Sequence, residues 1–206
     1  MTELRLGSSV ILRSATVSDL PGLLRVCLET GDSGKDATHL HSLPDLLGEI
    51  YVSPYVIYQP DFSFVLLDDD TAVGYLLAAL DTKKFEEILV KEYWPQVKNK
   101  YAQISDSITK KDQDLLRELD RQGFSPKNLT DIYPSHLHID IIDGYQGKGF
   151  GKNMISFLLE RLKAAGSIGV HLHMAASNDR ARYFYKSFGF NEIVEDENEC
   201  IMGLSF

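Results

Sequence analysis

The segment "IIDGYQGKGFGKNM" at 141–154 sets Gly147, Gly149 and Gly151 at alternate positions between two apolar runs. Glycine is costly inside a helix or strand, so this much bare backbone implies a task. A strand, a glycine turn and a helix in succession offer free backbone N–H groups and the positive end of a helix dipole to an anion, above all a phosphate. Two familiar phosphate motifs do not fit. In the P-loop pattern G-x-x-x-x-G-K-[ST], the span from Gly147 to Gly151 is one residue short, and Asn153 stands where a Ser or Thr would hold Mg²⁺. In the dinucleotide pattern G-x-G-x-x-G, the third glycine position falls on Lys152. What remains is Gln146-Gly147-Lys148-Gly149-Phe150-Gly151, which reads Q-x-x-G-x-G.

A second set of reactive side chains is the histidines. All six fall in H-L-H triplets, His39/His41, His136/His138 and His171/His173. On a strand, H-x-H turns both rings to one face, and the same alternation adds Asp140 to the face of His136 and His138. Zinc uses such pairs, but no cysteine or fixed ligand spacing completes a site, so no metal is expected. A histidine's near-neutral pKa also suits it to general-base work.

These residues need elements to hold them. "SVILRSA" reads as a strand, and "TVSDLPGLLRVCLETG" as a helix capped by Ser18 or Asp19 with Pro21 in its first turn and Gly31 at its end. "HSLPDLLGEIYVSPYV" reads as a second helix that stops before Pro54. "DFSFVLLDDDTAVGYLLAALD" is a hairpin around "DDDT". Two segments within 81–134 have helical periodicity and alternating charge, forming a helical insertion. "SHLHIDII" is a strand before the glycines, and an amphipathic helix after them ends at Gly166. "GVHLHMAA" is another strand, "NDRARYFYKSFGF" a helix with Asn178 as N-cap, and "NECIMGLSF" a last strand.

Length and charge narrow the function classes. The chain of 206 residues suits one domain, 1–206, able to bury a sizeable core. Its net charge of −9 argues against a general nucleic-acid binder, which needs clustered Lys and Arg. Cys27 and Cys200 stand far apart and form no disulfide pattern. The first residues do not read as a signal peptide, and no apolar run approaches the ~20 residues of a membrane span. A cytoplasmic setting without membrane partners is the expectation.

Q-x-x-G-x-G after a strand resembles the pyrophosphate loop of the GNAT acetyltransferase superfamily. "NDRARYFYKSFGF" resembles that superfamily's N-x-x-A-x-x-x-Y-x-x-x-G-F helix, with Asn178, Ala181, Tyr185, Gly189 and Phe190 in place. Both motifs occur in the superfamily's order. "YWPQVKNKY", "YPSHLHIDI" and "LKAAGSIGVHLHM" look more closely like the acetyltransferase-like C-terminal domain of O-GlcNAcase and its stand-alone bacterial relatives. The animal domains of that group are thought to have lost the cofactor loop, whereas this chain keeps it.

The resemblance implies an α/β (α+β) fold. Its central sheet is mixed with splayed fourth and fifth strands, helices cover both faces, and the insertion lies between the third and fourth strands. It implies acetyl-CoA as donor. The backbone of Ile139, Asp140 and Ile141 would meet the pantetheine and thioester. Gln146, Gly147, Lys148, Gly149, Phe150, Gly151 and Lys152 would form the pyrophosphate loop, with Asn178 and Tyr185 beside the cofactor. Tyr185 takes the superfamily's general-acid position, and its ordinary pKa of about 10 keeps it protonated at neutral pH. His173 takes a position where some members carry a base carboxylate, with Asp140 and His138 as rivals. Glu92 and Trp94 are expected on the acceptor groove, although Trp94 also reads as a packing residue. Two functions follow: an N-acetyltransferase acting on a small-molecule or protein amine, or a non-catalytic acyl-CoA-binding module. The chain would act as a monomer or homodimer.

Overall fold

The computed structural model describes residues 3–104, 107–121 and 123–206. Eight strands form one sheet in the order β1-β2-β3-β4-β5-β6-β8-β7. They span Glu3–Arg5 (β1), Val10–Ser14 (β2), Ser63–Asp68 (β3), Thr71–Ala79 (β4), Ser135–Ile141 (β5), Gly169–Ala175 (β6), Asn191–Glu195 (β7) and Glu199–Ser205 (β8). Every neighbouring pair is antiparallel except β5 and β6, which run parallel.

That exception makes the central feature of the fold. β5 and β6 pair only at Ser135–Val170 and His136–His171. Beyond those rungs β5 continues along β4 and β6 continues along β8. The strands expected as fourth and fifth therefore do splay, as β5 and β6 here. The count moves by one because β1 precedes them. β1 and β7 were not legible in the sequence. β1 is a three-residue edge, and β7 is exposed along its whole length, so neither carries an apolar alternation.

Alternation along β4 builds two cores. Tyr75 and Leu77 face one side, Leu76 and Ala78 the other. The first face is covered by α1 (Leu20–Thr30), α2 (Leu46–Tyr51), α3 (Ser53–Tyr58) and helices between β4 and β5: α4 (Thr82–Ile88), α5 (Trp94–Tyr101) and α6 (Lys110–Arg121), after which the short α7 (Lys127–Thr130) precedes β5. The second face is covered by α8 (Phe150–Ala164) and α9 (Asp179–Lys186).

Pro54 does not stop the second helix as expected. The chain breaks at Val52 and Pro54 sits in the first turn of α3, where its missing N–H has no partner to lose. A comparable substitution of geometry joins α4 to α5. Residues Leu89–Tyr93 form a π-helical turn just before Pro95, which has no N–H to donate back along the helix. The caps expected at Asn178 and Gly166 are present: the Asn178 side chain accepts from Ala181 N at 3.1 Å, and Gly166 takes φ +88°. Among the described residues no helix is long and apolar enough to cross a membrane.

Candidate active site

The glycine loop leaves β5 and enters the fifteen-residue α8. Gly147 and Gly149 take φ of +73° and +84°, a region L side chains avoid, and a side chain at either would meet nothing within 4 Å. The backbone there faces open space, as a cradle for a ligand must. Gly151 serves differently. A Cβ on it would touch Phe184 at 3.4 Å, so its smallness lets α8 approach α9.

Gln146 holds the loop in place. Its amide nitrogen donates to Ile141 O at 2.7 Å and Gly34 O at 3.3 Å, and its oxygen accepts from Arg180 at 2.6 Å. This one side chain ties the end of β5, the segment after α1 and the start of α9. A cleft of about 510 Å³ opens between them. Ile139, Asp140 and Ile141 line it from β5; Gly147, Gly149, Gly151 and Lys152 from the loop and α8; Asn178 and Tyr185 from around α9. Two expected loop residues turn elsewhere. Lys148 lies over the Tyr145 ring at 4.9 Å, and Phe150 packs against the apolar core. The cation at the cleft beside Lys152 is Arg180, which sequence reasoning passed over although it follows the Asn178 cap by two residues.

The splay leaves β5 one unpaired edge over 137–141, on the side away from β4. A dipole of roughly half a charge at the N-terminus of α8, bare loop N–H groups, two cations and a free strand edge fit a long ligand with a diphosphate at one end and amide groups along its length.

A second cavity, of about 610 Å³, adjoins the first, and both are lined by Ile139, Asp140, Asn178 and Tyr185. Asp140 and Tyr185 therefore stand at the boundary. Burial pushes the Asp140 carboxyl up to about 7, partly opposed by a hydrogen bond from Tyr75. Burial and the charge of Asp140 raise the Tyr185 phenol above its ordinary value. Cys27 also lines the second cavity, but burial and the Asp140 charge push its thiol up to about 12. It stays a neutral thiol and a poor nucleophile.

Four of the histidines form a chain of rings across the β5–β6 junction. His138 and His136 lie 6.1 Å apart, His136 and His171 5.5 Å, His171 and His173 5.6 Å. The inner pair is structural. His136 bonds the Tyr55 hydroxyl at 2.6 Å and the Thr82 hydroxyl at 2.7 Å, and His171 donates from Nδ1 to Tyr133 O at 2.8 Å. The outer pair, His138 and His173, lines the second cavity. Burial lowers His138 to about 4, leaving it neutral at pH 7. His173 Nδ1 meets Glu199 at 2.9 Å, which leaves Nε2 free to act. Among the described residues, no group of three or more His, Cys, Asp or Glu is placed to hold a metal ion.

The expected groove residues Glu92 and Trp94 line neither cavity, which corrects that assignment. Trp94 is buried in the core against Tyr93, and Glu92 is exposed beside Lys91. Apolar surface drives the tryptophan inward because burying it is worth more than any contact at a rim. The helical segment does reach the second cavity, through α6. Lys111, Asp114, Leu115 and Glu118 lie at i, i+3, i+4 and i+7 and present one stripe to it. α6 is fixed by Asp112, fully buried, which accepts from Ser42 N, Leu43 N and the Ser42 and Thr109 hydroxyls and pairs with His41 at 2.7 Å. The amphipathic stripe was readable in the sequence; the cavity it faces was not.

Comparison with known proteins gives consistent findings. Residues 127–190 match the acetyltransferase (GNAT) family. The protein O-GlcNAcase of Rattus norvegicus is 27% identical over 181 residues, 87% of this chain and 20% of the rat protein, so the chain spans about a fifth of that relative's length. The crystal structure of SsHAT is 30% identical, with a TM-score of 0.84 over 96% of this chain and 98% of that one. The fold is also that of the PaiA N-acetyltransferase from Thermoplasma acidophilum in complex with coenzyme A, at 16% identity and a TM-score of 0.55 over 96% of this chain and 99% of that one.

Proposed function

The chain belongs to the GNAT acetyltransferase superfamily, in its O-GlcNAcase-like group, and on that premise we propose that it is an acetyl-CoA-dependent N-acetyltransferase acting on an amine by direct attack. The observation that carries the reading is the placement of Asp140 and Tyr185 on the boundary between the two cavities.

Acetyl-CoA supplies the activated acetyl group. Gly147 and Gly149 offer backbone N–H groups to its diphosphate at the start of α8, with Lys152 and Arg180 adding charge. The unpaired edge of β5 around Ile139–Ile141 supplies amide groups along the pantetheine and toward the thioester carbonyl, where preorganised N–H donors stabilise developing charge.

Asp140 is the base this site supports best. An amine attacks only when neutral, and a carboxyl near pH 7 matches the operating pH of a general base. His173, oriented by Glu199, faces the acceptor cavity at a position suited to relay the proton outward. His138 is too weakly basic, at about 4, to compete. Tyr185 stays protonated and donates to the leaving thiolate. Cys27, held as a thiol, gives no reason to invoke an acyl-enzyme.

Titration calorimetry with acetyl-CoA on the wild type and Gly149→Glu tests the reading, with Gly144→Ala as control. Both glycines take φ +84° and both side chains would enter open space, but Gly144 lies outside the cleft. Affinity is expected to fall sharply only for Gly149→Glu. Equal affinities would remove the cofactor assignment. Tight binding without thiol release on any amine would instead favour an acyl-CoA-binding module.

A further inference from the structure

The second cavity has the size of a small-molecule site rather than a flat protein contact. Its charge is one-sided. Asp114, Glu118, Asp140 and Glu199 line it, against one lysine, Lys111, two helical turns from Glu118. Three of the four carboxylates are engaged. Asp114 is paired with Lys110 and Arg117 at 2.7 and 2.8 Å, Glu199 with His173 at 2.9 Å, and Asp140 with the Tyr75 hydroxyl at 2.5 Å. Glu118, among the described residues, pairs with no cation.

Tyr51 lines the same cavity as Glu118, and its phenol is pushed up to about 12, by burial first and then by Glu118, Cys27 and Glu199. The Tyr51 ring lies 6.2 Å from that of His138. His138 and Asp140 share a face of β5, two residues and so roughly 7 Å apart along the strand. The Tyr51 ring, His138 and Asp140 are thus successive neighbours in the cavity, which Glu118 also lines. A carboxylate and an aromatic ring in one cavity can bind an ammonium group together, and Glu118 and Tyr51 line the same cavity as Asp140.

We propose that the acceptor is a linear aliphatic diamine or polyamine, its far ammonium held by Glu118 and the Tyr51 ring while its near amine sits at Asp140. This rests on the acetyltransferase reading. The near amine, as a free base, attacks the acetyl carbon and forms the amide bond. Its proton passes to Asp140, the C–S bond breaks, and the thiolate takes the Tyr185 proton. The products are CoA thiol and a monoacetylated amine, and the Asp140 proton returns through solvent to Tyr185.

Thiol release with putrescine, spermidine and n-butylamine tests it, on the wild type and Glu118→Gln. The wild type is expected to prefer the two polyamines in kcat/KM, and Glu118→Gln to reduce that preference about tenfold or more, the effect of one charged hydrogen bond. Equal kcat/KM for all three amines, or a preference untouched in Glu118→Gln, overturns the proposal. If no amine releases thiol although acetyl-CoA binds, the acetyltransferase reading fails on its own. Calorimetry of spermidine on the CoA-bound protein then decides: binding lost in Glu118→Gln upholds the cation site, and no binding in the wild type overturns it.

Discussion

Tyr75 and Asp140 stand directly opposite each other on β4 and β5, and the Tyr75 hydroxyl donates to Asp140 Oδ2 at 2.5 Å. The tyrosine is almost fully buried, so the carboxylate is held from below while its other side opens on both cavities. Without this bond, burial would drive the acid still further toward its neutral form.

Tyr75→Phe is therefore expected to raise the Asp140 pKa above about 7. Losing a hydrogen bond to the charged form disfavours that form, and a bond of about 1.5 kcal/mol corresponds to roughly one pH unit. The acid limb of kcat/KM against pH should move up by that amount, with activity recovered at alkaline pH. An unmoved limb would show that Asp140 is not the base.

Tyr185→Phe removes one hydroxyl and keeps the ring that packs on Phe184 and Phe190. Acetyl-CoA affinity by calorimetry is expected to hold, while kcat falls about 10²–10⁴-fold. Full turnover would reduce Tyr185 to a packing residue.

Trp94→Ala should act on stability alone. Removing a buried indole from the core costs about 3–5 kcal/mol. The melting temperature is expected to fall by many degrees with no change in KM for amine or acetyl-CoA at a temperature where the variant is folded. A raised KM would return Trp94 to the acceptor groove.

Acid should destabilise the protein well before its carboxylates are exhausted. Burial holds His136, His138 and His171 below their ordinary value, the last two at about 4. As pH drops from about 6.5 toward 4, the unfolded chain takes up protons on these histidines that the folded chain refuses, so their contribution to stability is lost on acidification. Asp140 works in the opposite sense, because its raised pKa lets the folded state bind a proton first, a contribution lost as pH rises through about 7. Three histidines outweigh one aspartate. Melting temperature measured from pH 7 to 4 is expected to fall throughout, and a flat curve would refute the buried-histidine account.

Much of the second half was legible because its signals are local. Glycines at alternate positions mark a backbone that must stay bare, and Asn178 caps its helix through its own side chain three residues on. The second cavity was not legible because it is assembled from distant parts of the chain. Tyr75 meets Asp140 across 65 positions, and Asp112 meets Ser42 across 70. Trp94 reads in one dimension both as a groove residue and as a packing residue, and the packed core decides for packing. Pro54 misled because a proline that ends one helix can equally begin the next.

The Asp112 anchor has a kinetic consequence. α6 docks only when the chain closes the segment between Ser42 and Asp112, so the cavity wall is a contact of high sequence separation, opposed by loop-closure entropy. Once docked, α6 is bonded through the Asp112 carboxylate to the amides of Ser42 and Leu43. In native-state hydrogen exchange they are expected to open together, as a single unit with one free energy. The wall of the second cavity would then unfasten as a door on one latch, while the sheet behind it stays closed.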